Sequence, residues 1–154
     1  MMCITMIYER MKDIREYYDN TQNELANILN VSRSTYAGWE NGIDNIPLIK
    51  LNAFCNYYKI SLDYICGLTS IKKCNIINEE LDKEIIGRNL KEIRIKFNDT
   101  QENTADYIKV DQSNYSKYEL GKILINTYPL IEFARHYKVS IDWLCGKKTN
   151  STIN

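Results

Sequence analysis

The chain has 154 residues, and its 20 Lys and Arg are balanced by 20 Asp and Glu, so the formal net charge is zero. That length allows one ordinary domain or two small ones, and a hydrophobic content of 44% is enough for a packed core. No apolar run approaches the roughly 18 residues a membrane span needs. The first residues lack the basic stretch and small-residue cleavage site of a secretory signal, so the expected location is the cytoplasm. Two Pro and six Gly argue against disorder and against a turn-rich β fold.

The first predicted element is a helix in which Ile7, Met11 and Ile14 recur at helical spacing between charged residues. Thr21 then opens a second helix as its N-cap, and Glu24, three residues on, completes a capping box that satisfies two otherwise orphan amides. Leu25, Ala26 and Leu29 form the inner face of this helix. Asn30 ends it, because Asn tolerates the left-handed conformation a tight helix–helix turn needs. Ser32 caps a third helix running from Arg33 to Asn41 and stopped by Gly42. Pro47 suits a first helical turn, and Leu48, Leu51, Phe54 and Cys55 give a fourth amphipathic helix. Ser61 caps a fifth, with Asp63 in its first turn beside the positive dipole end.

The same series then repeats. Shifting the sequence by 79 positions aligns residues 7–67 with 86–146 without a gap, and 21 of the 61 pairs are identical. Two copies are too few for a solenoid. The expected organisation is therefore a first domain at 1–69, a linker at 70–79, a second domain at 80–148 and a tail at 149–154. Strand-type alternation is absent from both copies, so the fold class is all-α.

Thr21-Gln22-Asn23-Glu24-Leu25-Ala26, Val31-Ser32-Arg33-Ser34-Thr35-Tyr36 and Trp39-Glu40-Asn41-Gly42 together resemble the phage repressor/Cro (XRE) helix-turn-helix family. The stretch from Ile60 to Gly67 is similar to that family's fifth helix. The second copy carries Thr100-Gln101, Ala105, Val110, Tyr115, Tyr118-Glu119, Gly121 and Val139-Ser140-Ile141-Asp142 in the same register. The resemblance covers most of the chain and implies two tandem five-helix, lambda-repressor-like domains. In such domains the second helix of each pair enters the major groove of double-stranded DNA.

The resemblance also assigns roles. Gln22 and Gln101 would contact phosphate at the start of the first motif helix. Arg33, Ser34, Thr35 and Gly38 would lie on the outer start and middle of the recognition helix, with Gln112, Ser113, Asn114 and Lys117 as counterparts. Arg33 matches the acceptor edge of guanine, and Gln112 or Asn114 the edge of adenine. Arg15 with Glu40, and Arg94 with Glu119, would form partly buried ion pairs that place the helices. Trp39, Tyr118, Tyr36, Tyr115, Phe54 and Phe133 read as core rather than as a stacking platform.

The loop after the third helix departs from the family pattern. It is usually basic, yet Gly42-Ile43-Asp44-Asn45-Ile46 has no cation and Gly121-Lys122-Ile123-Leu124-Ile125 has only Lys122. Residues 1–70 carry 6 basic and 8 acidic side chains, and residues 71–154 carry 14 and 12. Lys117, Lys122, Lys109, Lys91 and Arg88 are the candidate phosphate contacts of the second copy. Lys109 sits where a left-handed residue is needed, at a cost on the order of 1 kcal/mol.

Cys3, Cys55, Cys66, Cys74 and Cys145 are odd in number, with no C-x-x-C and no His at zinc-ligand spacing. No metal or cofactor is expected, and Cys55, Cys66 and Cys145 read as small buried hydrophobes. His136 aligns with Tyr57 on an amphipathic helix and reads as a packing residue. With no nucleophile–base set, no enzyme is expected. The leading expectation is a sequence-specific DNA-binding regulator of the repressor type with two modules in one chain. Homodimerisation through the last helices is open to it. The alternative is a protein-interaction module (antirepressor, antitoxin or dimerisation adaptor) in which one or both copies no longer bind DNA.

Overall fold

A computed structural model describes residues 2–73, 80–147 and 151–153. The greater part of the expected linker, together with Cys74, lies outside the described residues. Ten helices occur among those described: α1 (Met2–Tyr17), α2 (Gln22–Ile28), α3 (Arg33–Glu40), α4 (Leu48–Tyr58), α5 (Leu62–Ile65), α6 (Lys83–Lys96), α7 (Gln101–Tyr107), α8 (Gln112–Glu119), α9 (Thr127–Tyr137) and α10 (Ile141–Leu144). Thus α1–α5 form one unit and α6–α10 its repeat. No helix among the described residues is long and apolar enough to cross a membrane.

Local chemistry explains the boundaries. Thr21 accepts the amide of Glu24 while the Glu24 carboxylate takes the Thr21 amide at 2.6 Å, which completes the capping box of α2. Its counterpart α7 keeps only the Thr100 half, because Asn103 stands in place of the glutamate. Ser32, Ser61 and Ser140 cap α3, α5 and α10 through their hydroxyls. Pro47 falls one residue before α4, at its N-cap. Gly42 and Gly121 end the third helix of each unit at φ 67° and 64°, a conformation that penalises any Cβ.

The buried faces of all these helices meet in one hydrophobic cluster that runs through both units. Tyr36, Tyr115, Phe54 and Phe133 are fully buried in it, and Trp39 and Tyr118 nearly so. Cys55, Cys66 and Cys145 are buried thiols. His136 is not buried: it lies exposed on α9 and stacks on Tyr107 at 3.8 Å. The helix pairs are not identical in the two units. Gly87 stands where the first unit has Tyr8, and a Cβ there would come within 2.3 Å of the Tyr118 carbonyl, so α6 lies directly against the end of α8.

After its fifth helix, each unit turns back on itself. The amide of Ser61 donates to Lys72 O and that of Ser140 to Ser151 O, both at 2.9 Å. Isolated antiparallel bridges join Ile60 to Lys73 and Val139 to Thr152, again 79 residues apart. The repeat therefore continues past the stretch of sequence identity.

The two units dock through α5 and α10, and the contact is reciprocal. The Asp142 carboxylate accepts the backbone amides of Leu62 and Asp63 at 3.0 and 2.9 Å. The Asp63 carboxylate accepts the Ile141 amide at 2.6 Å and the Ser140 hydroxyl at 2.5 Å. Each aspartate thus caps the helix N-terminus of the opposite unit, satisfying amides that a four-residue helix leaves open. Beside this exchange, Lys147 is only 2% exposed, and its ammonium donates to Asn52 and Asn56 Oδ1, each at 2.8 Å.

Candidate nucleic-acid interface

In both units the second and third helices cross at a tight turn. Ala26 and Ala105 are buried where the helices approach. The turn closes through Val31 N to Ala26 O at 2.9 Å and Val110 N to Ala105 O at 3.0 Å. Asn30 and Lys109 take the left-handed conformation at φ 52° and 58°. Val31 and Val110 pack half-buried against the core.

A buried ion pair ties the turn to the rest of each unit. Arg15 Nε lies 2.6 Å from Glu40 Oε1, and Arg94 Nε lies 2.5 Å from Glu119 Oε1. The same guanidinium groups donate to Asn20 O and Asp99 O, in the turn that follows the first helix of each unit. Burial works against the Glu40 and Glu119 carboxylates, but hydrogen bonds from the arginines and from Gln22 and Gln101 outweigh it and hold both below the usual glutamate value. Those hydrogen bonds raise the arginines in turn.

The glutamines are therefore already engaged. Gln22 Nε2 donates to Glu40 at 3.0 Å and Gln101 Nε2 to Glu119 at 2.8 Å, and both residues are half-buried. Each amide keeps one further N–H. In the second unit the chain extends to the recognition helix, because Gln112 Nε2 donates to Gln101 Oε1 at 3.1 Å. Arg94, Glu119, Gln101 and Gln112 thus form one connected series.

Arg33, Ser34 and Thr35 are all exposed on the first turn of α3, where the hydroxyls of Ser34 and Thr35 each lie 2.9 Å from Ser32 Oγ. Gln112, Ser113 and Lys117 are exposed on α8, Asn114 is half-buried, and Lys117 donates to Asn114 Oδ1 at 3.4 Å. Gly38 departs from the outward placement expected for it. It is buried, and a Cβ there would lie 2.8 Å from Asp44 Oδ2. The loop folds back onto the helix, with the Ile43 and Asp44 amides donating to Gly38 O at 2.9 and 3.3 Å. The place that Lys117 fills with a cation in the second unit is thus covered by a carboxylate in the first.

Lys122 is exposed, and its carbonyl accepts from Lys83 Nζ at 3.2 Å. Lys83 was not among the sequence candidates. It opens α6, 39 residues before the loop it reaches, and no local motif marks it. Lys109 points over the Tyr128 ring at 6.0 Å. In the first unit, Lys50 is committed to Leu29 O at 2.8 Å. Around the helix-turn-helix the exposed cations are thus Arg33 in the first unit and Lys83, Lys109, Lys117 and Lys122 in the second. Among the described residues no group of three or more His, Cys, Asp or Glu side chains could hold a metal ion.

Chemically, each unit offers a short helix whose first turn projects hydroxyl, amide and cationic groups outward from a rigid core. That matches the hydrogen-bonding edges of base pairs. Among relatives, the chain is 31% identical over 87 residues to YobD, an HTH-type transcriptional regulator of Bacillus subtilis, which covers 56% of this chain and 70% of that protein. It is 29% identical over 115 residues to the antitoxin PezA of Streptococcus pneumoniae serotype 4, covering 71% of this chain and 69% of that one. No solved structure matches the chain significantly. The helix-turn-helix family matches at residues 11–65 and again at 90–144, in the register of the internal repeat, and the chain belongs to that family twice over.

Proposed function

We propose that the chain is a sequence-specific double-stranded DNA-binding protein, a transcriptional regulator of the repressor type whose two helix-turn-helix units read one duplex. The observation that carries this reading is the exposed first turn of α3 and of α8, each backed by a helix whose other face is buried. Arg33, Ser34 and Thr35 read bases from the first unit, and Gln112, Ser113, Asn114 and Lys117 from the second. Lys122 and Lys83 neutralise phosphate. Gln22 and Gln101 brace the recognition helix through the buried glutamates and offer their remaining N–H to phosphate. Gly38, buried under Asp44, reads no base. Because α5 and α10 already cover each other, a second copy of the chain is not required for a two-site contact.

Selection from a random DNA pool, followed by binding over a salt series, tests this. One enriched motif is expected, with log affinity falling against log salt by about 0.9 per neutralised phosphate. No enrichment together with a flat salt response would sink the reading. Asp44 favours a second reading for the first unit alone, in which that unit meets a protein, as the antitoxin likeness also suggests. A motif that loses nothing on Arg33→Ala but collapses on Lys117→Ala would favour it.

A further inference from the structure

A tandem repeat admits two arrangements on DNA. If the units follow one another like beads, they read a direct repeat. If a two-fold axis relates them, they read half-sites in opposite orientation. Reciprocity of contacts distinguishes these, because only an isologous interface has residue i touching j′ while j touches i′. The α5–α10 junction is of that kind. Asp142 takes the Leu62 amide while Asp63 takes the Ile141 amide, and Leu62 and Ile141 are equivalent positions of the repeat. Next to it, Thr127 Oγ1 donates to Ile46 O at 2.6 Å, so the segments that follow α3 and α8 also meet near the axis.

We infer that the operator is an imperfect inverted repeat, read by one chain acting as its own dimer, and that Asp63 and Asp142 are the positioning residues that fix the orientation and spacing of its half-sites. The inference rests on the DNA-binding reading. It goes beyond that reading because a single chain with two unequal recognition helices sets an obligatory order as well as an orientation. The Arg33 half-site lies on one side of the axis and the Gln112 half-site on the other. Both carboxylates are buried and spent on donors of the opposite unit, so neither touches DNA. They act through the angle they impose.

The test has two arms. Without DNA, amide hydrogen exchange should show Leu62, Asp63 and Ile141 protected, and Asp142→Ala should release Leu62 and Asp63 while the α9 amides stay protected. Unprotected amides in the native chain would overturn the interlock itself. With DNA, the enriched motif is rebuilt as inverted and direct repeats and with spacers lengthened by half a helical turn, about 5 base pairs. Binding to one inverted arrangement should exceed the others by roughly a hundredfold, the gain expected when two tethered contacts form together. Equal binding to direct repeats would overturn the inference. So would an unchanged spacer preference in a folded Asp63→Ala/Asp142→Ala chain. Asp63→Asn, which keeps one acceptor oxygen, should restore most of that preference. Protected amides with no enriched motif would instead refute the DNA reading beneath it.

Discussion

Arg15 Nε and Glu40 Oε1 stand 2.6 Å apart inside the first unit, with the two side chains 11% and 2% exposed. Removing one partner strands the other in a low-dielectric interior. Arg15→Ala should therefore cost about 3–5 kcal/mol, read as a fall in the urea midpoint. Replacing both residues with apolar groups of similar volume should cost less than the single change. An Arg15→Ala chain with a native midpoint would show that the pair contributes nothing.

The two recognition helices should respond differently to substitution. Arg33→Ala should relax preference at one base position and cost about 1–3 kcal/mol. Lys117→Ala should instead relax preference at one base position of the other half-site, at a similar cost. Asp44→Lys places a cation where the first unit now has a carboxylate over Gly38. It should steepen the salt slope by about 1 and tighten binding. Fluorescence anisotropy over a salt series reads all three.

Lys109 holds φ 58° in the turn where the first unit uses Asn30 at φ 52°. A left-handed lysine costs about 1 kcal/mol, and the contact over Tyr128 returns about 0.5 kcal/mol at an exposed site. Lys109→Asn should raise stability by about 0.5 kcal/mol, seen as a higher melting temperature with unchanged secondary structure.

Stability should peak in mildly acid solution. Burial, with the neighbouring charge of Asp63 second, pushes the Asp142 carboxyl up to about 6, against the Asp63 and Leu62 amides and the charge of Lys147. A raised carboxyl binds its proton more firmly in the folded chain, so its contribution is full below the unfolded value of 3.8 and is lost as the pH rises through about 6. Glu40 and Glu119 are lowered, so theirs is present above 4.5 and lost as the pH falls. Melting temperatures measured from pH 3.5 to 7.5, as about half-unit steps, should show both limbs, and Asp142→Asn should flatten only the upper one.

Short-range chemistry was readable from the sequence. The Thr21–Glu24 box, the Asn30 turn and the serine caps each depend on residues within a few positions, so their spacing alone announces them. The Arg15–Glu40 pair came through a family pattern rather than through spacing. Asp63 shows where local reasoning stops. It does sit in the first turn of α5, as its spacing predicts, yet its carboxylate serves a helix 78 residues away. A repeat reveals which positions are equivalent and says nothing about which of them touch. Gly38 misled for a related reason: the family resemblance put it outward, and the loop that covers it returns from beyond the helix. Lys147 lies just past the motif, where no pattern assigns a role.

The lysine pin also makes the two halves unequal mates. The positions equivalent to Lys147 and Asn52 are Leu68 and Ile131, so one side of the junction is polar where the other is apolar. Two copies of the second half alone would bring Lys147 against Ile131 and Arg135, neither of which offers its ammonium a side-chain acceptor. Two copies of the first half would set Asn52 against Leu68. Each half thus finds in the other the polar or apolar mate that a second copy of itself would not supply.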